Sequence, residues 1–355
     1  MATEVRKPLV KPRKLRPGCR VAAITLSWGG PGAYPLRYEA GKRQFEDEFQ
    51  VEVVETRHAL KHPDWLGRHP EARAEDLMSA FADPSIDAII STIGGDDSIR
   101  ILPYLDLDVI RNNPRVFMGY SDTTISLMAC FRAGLVSFYG PTFMAGFAEN
   151  GGMFPYMVES IRKTVFSSDP IGTINPNAAG WTVEELDWNN PENQSRRREL
   201  NPSTGWNFLQ GKGIVEGRLI GGCVEVLDWL RGTEFWPGLA EWENAILFLE
   251  TSEEAPPAAL VGRFVRTLDA VGVLRRLSGV LLGRPGGQIP PEKFAEYGTV
   301  LKDAVSQESG LTDLPIVTGM DFGHTDPMMV LPMGLKARID CDSRQFSILD
   351  SAVVD

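Results

Sequence analysis

The sequence predicts an α/β protein: an N-terminal parallel-sheet domain with helices on both faces, followed by a smaller C-terminal α/β domain. Three observations carry this expectation. Short apolar runs alternate with amphipathic stretches from residue 20 to 140. A chain of 355 residues with 43% hydrophobic content can fill two cores. Residues 167–212 interrupt the pattern with Pro, Asn, Ser and Gly, and the alternation resumes beyond them. The domains are expected at 15–166 and 213–355, with 167–212 as a linker and tryptophan-bearing loop.

In chain order, Arg20 to Leu26 reads as a buried strand and Ser27 to Gly32 as a turn-rich loop. That loop lacks the Lys-Ser/Thr and the Gly-x-Gly-x-x-Gly of phosphate-binding loops. An amphipathic helix over 35–49 and a strand at Val51 to Val54 follow, then a helix over 71–83 stopped by Pro84. Asp87 to Ile93 is a strand that runs into Gly94-Gly95, where backbone amides can approach a ligand closely or simply turn. Val116 to Met118 and Leu135 to Tyr139 are further strands, with a helix between them that ends at Gly134. The second half offers a glycine-studded strand at 213–222 and a helix over 223–230. Strands at 245–249, 279–282 and 315–319 come next, with helices over 259–276 and 291–306 between them. A closing hairpin turns near Asp342-Ser343.

The bulk numbers exclude several functions. A net charge of −11 repels a polyphosphate backbone, so no nucleic-acid polymer is expected, although a single nucleotide-like ligand stays open. The cysteines, Cys19, Cys130, Cys223 and Cys341, are far apart and read as thiols of a reducing compartment. The basic N-terminus (Arg6, Lys7, Lys11, Arg13, Lys14, Arg16) has no apolar run behind it and reads as a solvated tail, not a signal peptide. No stretch is long and apolar enough to span a bilayer. A cytoplasmic protein without a membrane partner is expected. His58 and His62 are four residues apart, which on a helix would suit a metal, but Pro63 and Pro70 break the helix and no metal site is expected.

Chemistry concentrates at strand ends, where parallel sheets bind ligands. Ser121 follows an apolar strand and precedes a helix, in the local pattern Gly119-x-Ser121-x-Thr123. A serine at such a corner projects from the backbone, with the next amide aimed over its hydroxyl. Ser-Asp-Thr-Thr also starts a helix well as an N-cap. A hydrolytic serine needs a base and a group to orient it. Glu250 ends an apolar strand, and His324 lies in a loop after another, giving the order Ser, Glu, His. A surface cap is the other reading of Glu250, and a loop histidine bonded to Asp321 or Asp326 that of His324. Trp181 and Trp188 stand in the polar 167–212 segment, where an indole either stacks on a flat ligand or anchors the loop.

Taken together, Ile93-Gly94-Gly95-Asp96-Asp97-Ser98, Gly119-Tyr120-Ser121-Asp122-Thr123, Phe248-Leu249-Glu250 and Gly323-His324-Thr325-Asp326-Pro327 resemble the successive motifs of the LD-carboxypeptidase family of serine peptidases. The resemblance runs from about 15 to 350, with the motifs in order. Ser91-Thr-Ile-Gly-Gly95, the tryptophan loop and Leu219-Ile-Gly-Gly222 are most similar to its microcin C self-immunity branch. The resemblance implies a serine hydrolase without metal or cofactor. Ser121 would be the nucleophile, His324 the base and Glu250 its orienter, with the amides of Gly95 and Asp122 as oxyanion donors. Gly94, Asp96, Trp181, Trp188 and Cys223 would contact substrate, Cys223 standing where the family often has Asn. The implied partners are a small molecule or short peptide and a second copy of the chain, since the family commonly forms homodimers. The implied substrates are aminoacyl-nucleotide or peptide-nucleotide amides of the microcin C type, or alternatively murein tetrapeptide that loses a terminal D-amino acid.

Overall fold

The computed structural model describes residues 9–355 and contains two sheets. The first has six strands: β1 (Arg20–Ile24), β2 (Glu52–Glu55), β3 (Ala88–Ser91), β4 (Val116–Gly119), β5 (Ser137–Tyr139) and β12 (Leu331–Met333). Their spatial order is β12-β5-β4-β3-β1-β2, parallel throughout except that β12 pairs antiparallel with β5. The order 2-1-3-4-5 changes direction between β1 and β3, and ligands settle off the carboxyl ends at such a switch point. β3 and β4 are buried at every position, as expected of parallel strands covered on both faces.

The second sheet has eight strands. β8 (Ile214–Cys223), β9 (Ala245–Glu250), β10 (Leu277–Gly283) and β11 (Ile316–Met320) form its parallel centre. β13 (Lys336–Asp340) and β14 (Gln345–Ile348) form the C-terminal hairpin beside β8. The edges are β6 (Gly172–Ile174), paired with β14, and β7 (Asn207–Gln210), paired with β11. The segment 167–212 is therefore more than a linker: both of its ends are strands of the second sheet. A three- or four-residue edge strand in polar sequence has no alternation to reveal it.

The expected elements appear with trimmed ends. The helix beginning at Ala258 stops at Ala270, where Gly272 follows with φ 78°. The helix beginning at Phe294 runs to Lys302 and loosens over Asp303–Glu308. Of the tail expected to be solvated, Arg6 and Lys7 lie outside the described residues, and the remainder packs onto the body. Val10 bridges Leu135, Arg13 bridges Val354, Leu15 is buried, and Lys14 pairs with Asp355 at 2.6 Å. The buried Leu15 side chain and the backbone bonds of Val10 with Gly134 and Val136 hold this segment in place despite the interleaved charges. No helix among the described residues is long and apolar enough to cross a membrane.

Candidate active site

Ser121 follows β4 by two residues and opens the turn into the helix Thr124–Ala133. Its φ is +60°, a strained setting for a non-glycine residue and one that turns the side chain out of the strand line. Its hydroxyl lies against Gly94, where an added Cβ would come within 2.8 Å of Ser121 Oγ. Glycine is needed there for the β3 loop to approach the serine.

Glu250 ends β9 and is wholly buried. Its Oε1 accepts a short hydrogen bond from the Tyr139 hydroxyl at the end of β5, and its Oε2 lies 2.6 Å from His324 Nδ1. Tyr139 in turn accepts from the backbone N–H of Ser121 at 3.3 Å, so one phenol joins the Glu250 carboxylate to the serine turn. His324 follows β11 by four residues and reaches Glu250 through Gly323, whose φ is +94°. A Cβ on Gly323 would fall 2.5 Å from Glu250 Oε2, so only glycine lets this loop close over the carboxylate. The imidazole also packs at 4.8 Å on the Tyr120 ring.

The other ring nitrogen of His324, Nε2, is bonded to Glu253 Oε2 at 2.9 Å. Burial works against a charged ring, but Glu250 and Glu253 outweigh it and push the imidazole up to about 10. The bond to His324 holds the Glu253 carboxyl down at about 2. His324 therefore carries a proton at neutral pH in this arrangement.

These groups face a cavity of about 830 Å³. Of the residues anticipated from sequence, Gly94, Gly95, Asp96, Ser121, Trp188 and His324 line it. Asp122 lies behind the serine, wholly buried: its carboxylate accepts from the Ser98 N–H at 2.9 Å, and burial pushes its carboxyl up. Trp181 and Cys223 are not among the lining residues, contrary to expectation. Trp181 packs on Phe294 at 5.1 Å and under the Arg284 guanidinium at 5.7 Å, anchoring its loop to the second domain. Cys223 pairs in register with Glu250 across β8 and β9, where burial and the Glu250 and Glu225 carboxylates push its thiol well up.

Sequence reasoning missed Trp28, Tyr34, Arg37, Tyr139, Arg198 and Glu253. Trp28, Tyr34 and Trp188 form an aromatic chain with centroid spacings of 5.8 and 5.5 Å, and the Arg37 guanidinium sits 5.0 Å over Trp188. Arg198 grips buried Glu149 and bonds Asp326 at 2.6 Å. The histidines at 58–69 are occupied elsewhere. His58 bonds Asp76 at 2.9 Å, and both it and His69 stack on Trp65. No group of three or more His, Cys, Asp or Glu among the described residues is arranged to hold a metal ion.

Comparison with known proteins follows the same outline. The family model for the LD-carboxypeptidase N-terminal domain matches residues 21–140, and that for the C-terminal domain matches 216–339. A putative carboxypeptidase of Vibrio cholerae is 32% identical over 89% of this chain and 90% of its own. The murein tetrapeptide carboxypeptidase of Pseudomonas aeruginosa is 29% identical over 78% of this chain and 83% of its own. Among solved structures, the MccF-like protein of Streptococcus pneumoniae in complex with AMP superposes with a TM-score of 0.83 at 30% identity, covering 93% of this chain and 98% of that one. The microcin C7 self-immunity protein MccF in complex with aspartyl sulfamoyl adenosine gives 0.81 at 28% identity, covering 97% and 100%. With both domain models matched in order and relatives aligned over most of their length, the chain belongs to the LD-carboxypeptidase family of peptidases.

Proposed function

We propose that the protein is a serine hydrolase in which Ser121, His324 and Glu250 cleave the amide of an aminoacyl-nucleotide or peptide-nucleotide compound through an acyl-enzyme. The observation that carries this reading is the 2.6 Å bond between His324 Nδ1 and buried Glu250, on a loop that opens into the same cavity as Ser121. Ser121 Oγ would form a bond to the scissile carbonyl carbon while its proton passes to His324 Nε2. As the carbon–nitrogen bond breaks, Nε2 returns that proton to the leaving nitrogen. Water then attacks the ester with the same base, releasing the acid and restoring the serine. The amides of Gly95 and Asp122 are the oxyanion donors of this reading, each worth about 3 kcal/mol in such sites. Glu250 fixes the imidazole and balances its charge.

The aromatic chain of Trp28, Tyr34 and Trp188 supports a flat group in the leaving portion. The MccF complex with aspartyl sulfamoyl adenosine supports the same substrate class. The murein reading rests on the Pseudomonas aeruginosa relative. The unpaired thiols suit a reducing, cytoplasmic setting, and a homodimer belongs to the same reading. Incubation with aminoacyl sulfamoyl adenosine and with murein tetrapeptide, followed by mass spectrometry, separates the two substrates. Ser121→Ala should abolish turnover with an unchanged circular dichroism spectrum, and undiminished turnover rejects Ser121 as nucleophile.

A further inference from the structure

For Ser121 to lose its proton, His324 Nε2 must be free and unprotonated, yet Glu253 holds that nitrogen at 2.9 Å. The two carboxylates on the ring differ in kind. Glu250 is wholly buried, whereas the Glu253 side chain is 65% exposed on the loop between β9 and the helix Ala258–Ala270. Glu250 is fixed, and Glu253 has solvent to move into. A cationic group entering the cavity would compete with the imidazolium for the exposed Glu253 carboxylate.

The cavity wall around Glu253 has the matching sign. Asp96, Glu185 and Glu254 also line it and have no ion-pair partner among the described residues. Its two guanidinium groups are already engaged. Arg198 pairs with Glu149 and Asp326, and Arg37 donates to the Met144 carbonyl, Asn150 and Gln194. An acidic wall alone would say little. Glu253 adds a position, because its carboxylate sits on the ring nitrogen that the hydrolase reading assigns to Ser121.

We propose that Glu253 is a positioning and specificity-determining residue that leaves His324 for a cationic side chain on the acyl portion of the substrate. Once Glu253 has left, only Glu250 favours the charged ring, Nε2 gives its proton to water, and the neutral nitrogen can take that of Ser121; basic acyl groups, unlike acidic ones, free it in this way. An aspartyl or glutamyl acyl group meets a wall of like charge and leaves the Glu253–His324 bond in place. This deepens the hydrolase reading and rests on it.

The groups facing His324 are Glu250 and Glu253, with the Tyr120 ring tilted against it and Asp326 and Arg198 further along the wall. With both carboxylates in place the imidazole is protonated up to about pH 10, so reaction of Ser121 with an uncharged probe should rise steadily with pH above neutrality. Removing the Glu253 charge lowers that limb towards the ordinary histidine range of about 6.5.

The test compares lysyl and aspartyl sulfamoyl adenosine as substrates, and an uncharged fluorophosphonate as probe, on wild type and Glu253→Gln. The lysyl compound should exceed the aspartyl one at least tenfold in kcat/KM in the wild type, and Glu253→Gln should bring the two within about threefold. The same variant should label Ser121 faster at pH 7, an outcome that a merely structural role for Glu253 would not produce. If Glu253→Gln proves unstable, the wild-type ratio alone decides, since the proposal requires it to favour lysyl and to fall with added salt. Normal labelling of Ser121 with an aspartyl preference, or with a ratio that Glu253→Gln leaves unchanged, overturns the role of Glu253 and leaves the hydrolase reading standing. Absence of both labelling and turnover overturns the hydrolase reading and this one together.

Discussion

At Glu250 a wholly buried carboxylate has each oxygen engaged by a different donor, Tyr139 on one and His324 on the other. Neither bond is replaceable from solvent, so under the proposed hydrolase reading a change here acts on chemistry before it acts on binding. Glu250→Gln should lower kcat by about 10³- to 10⁴-fold with little change in KM, because the neutral amide neither balances an imidazolium nor enforces the right tautomer. Steady-state kinetics with the preferred substrate checks this. As candidates, Ser121, Glu250 and His324 could be singled out in the sequence because each stands at or just past the carboxyl end of an apolar run. Tyr139 was not, because its partner lies 111 positions away and nothing local distinguishes it from another apolar strand residue. Glu253 was visible only as one carboxylate in Glu-Thr-Ser-Glu-Glu, and its meeting with His324 is made by the fold.

The elements that carry the site are the loops after β3, β4, β9 and β11. Their closeness depends on residues without side chains. Gly94→Ala should push the Ser121 side chain from its seat, since the new methyl would lie 2.8 Å from both its Cβ and its Oγ. A displacement of this kind costs about 10²-fold in rate, measurable as slower fluorophosphonate labelling. The buried parallel strands could be read directly, because burial on both faces leaves an unbroken apolar run. β6, β7 and β12 could not. β6 and β7 are partly exposed edge strands in polar sequence, and β12 contains a proline that suits only an edge. Trp181 and Trp188 show the same limit. Sequence gave two tryptophans in one polar loop, while the fold sends one into the cavity wall and the other against Phe294.

At the scale of the molecule, Arg198 joins the two halves. Glu149 comes from the turn after the first sheet, Asp326 from the His324 loop, and Arg198 from the chain between the domains. The side chains of Arg198 and Glu149 are only 11% and 1% exposed, so Arg198→Met would strand a buried carboxylate. The expected loss is about 3–5 kcal/mol of unfolding free energy, read as a lower urea midpoint. The two-domain α/β plan was legible from alternation and length. The way the halves are tied together was not, because those ties run between residues with no local pattern in common.

The strand β12 has a consequence for synthesis. Residues 331–333 complete a sheet whose other five strands have all been synthesised by residue 139. Until residues 331–333 are made, β5 presents an open hydrogen-bonding edge, the kind of surface that nascent chains expose to aggregation. The first sheet therefore lacks its edge strand while the residues before β12 emerge. It waits for its last neighbour, and a translation product cut short before residue 331 is left with that edge uncovered.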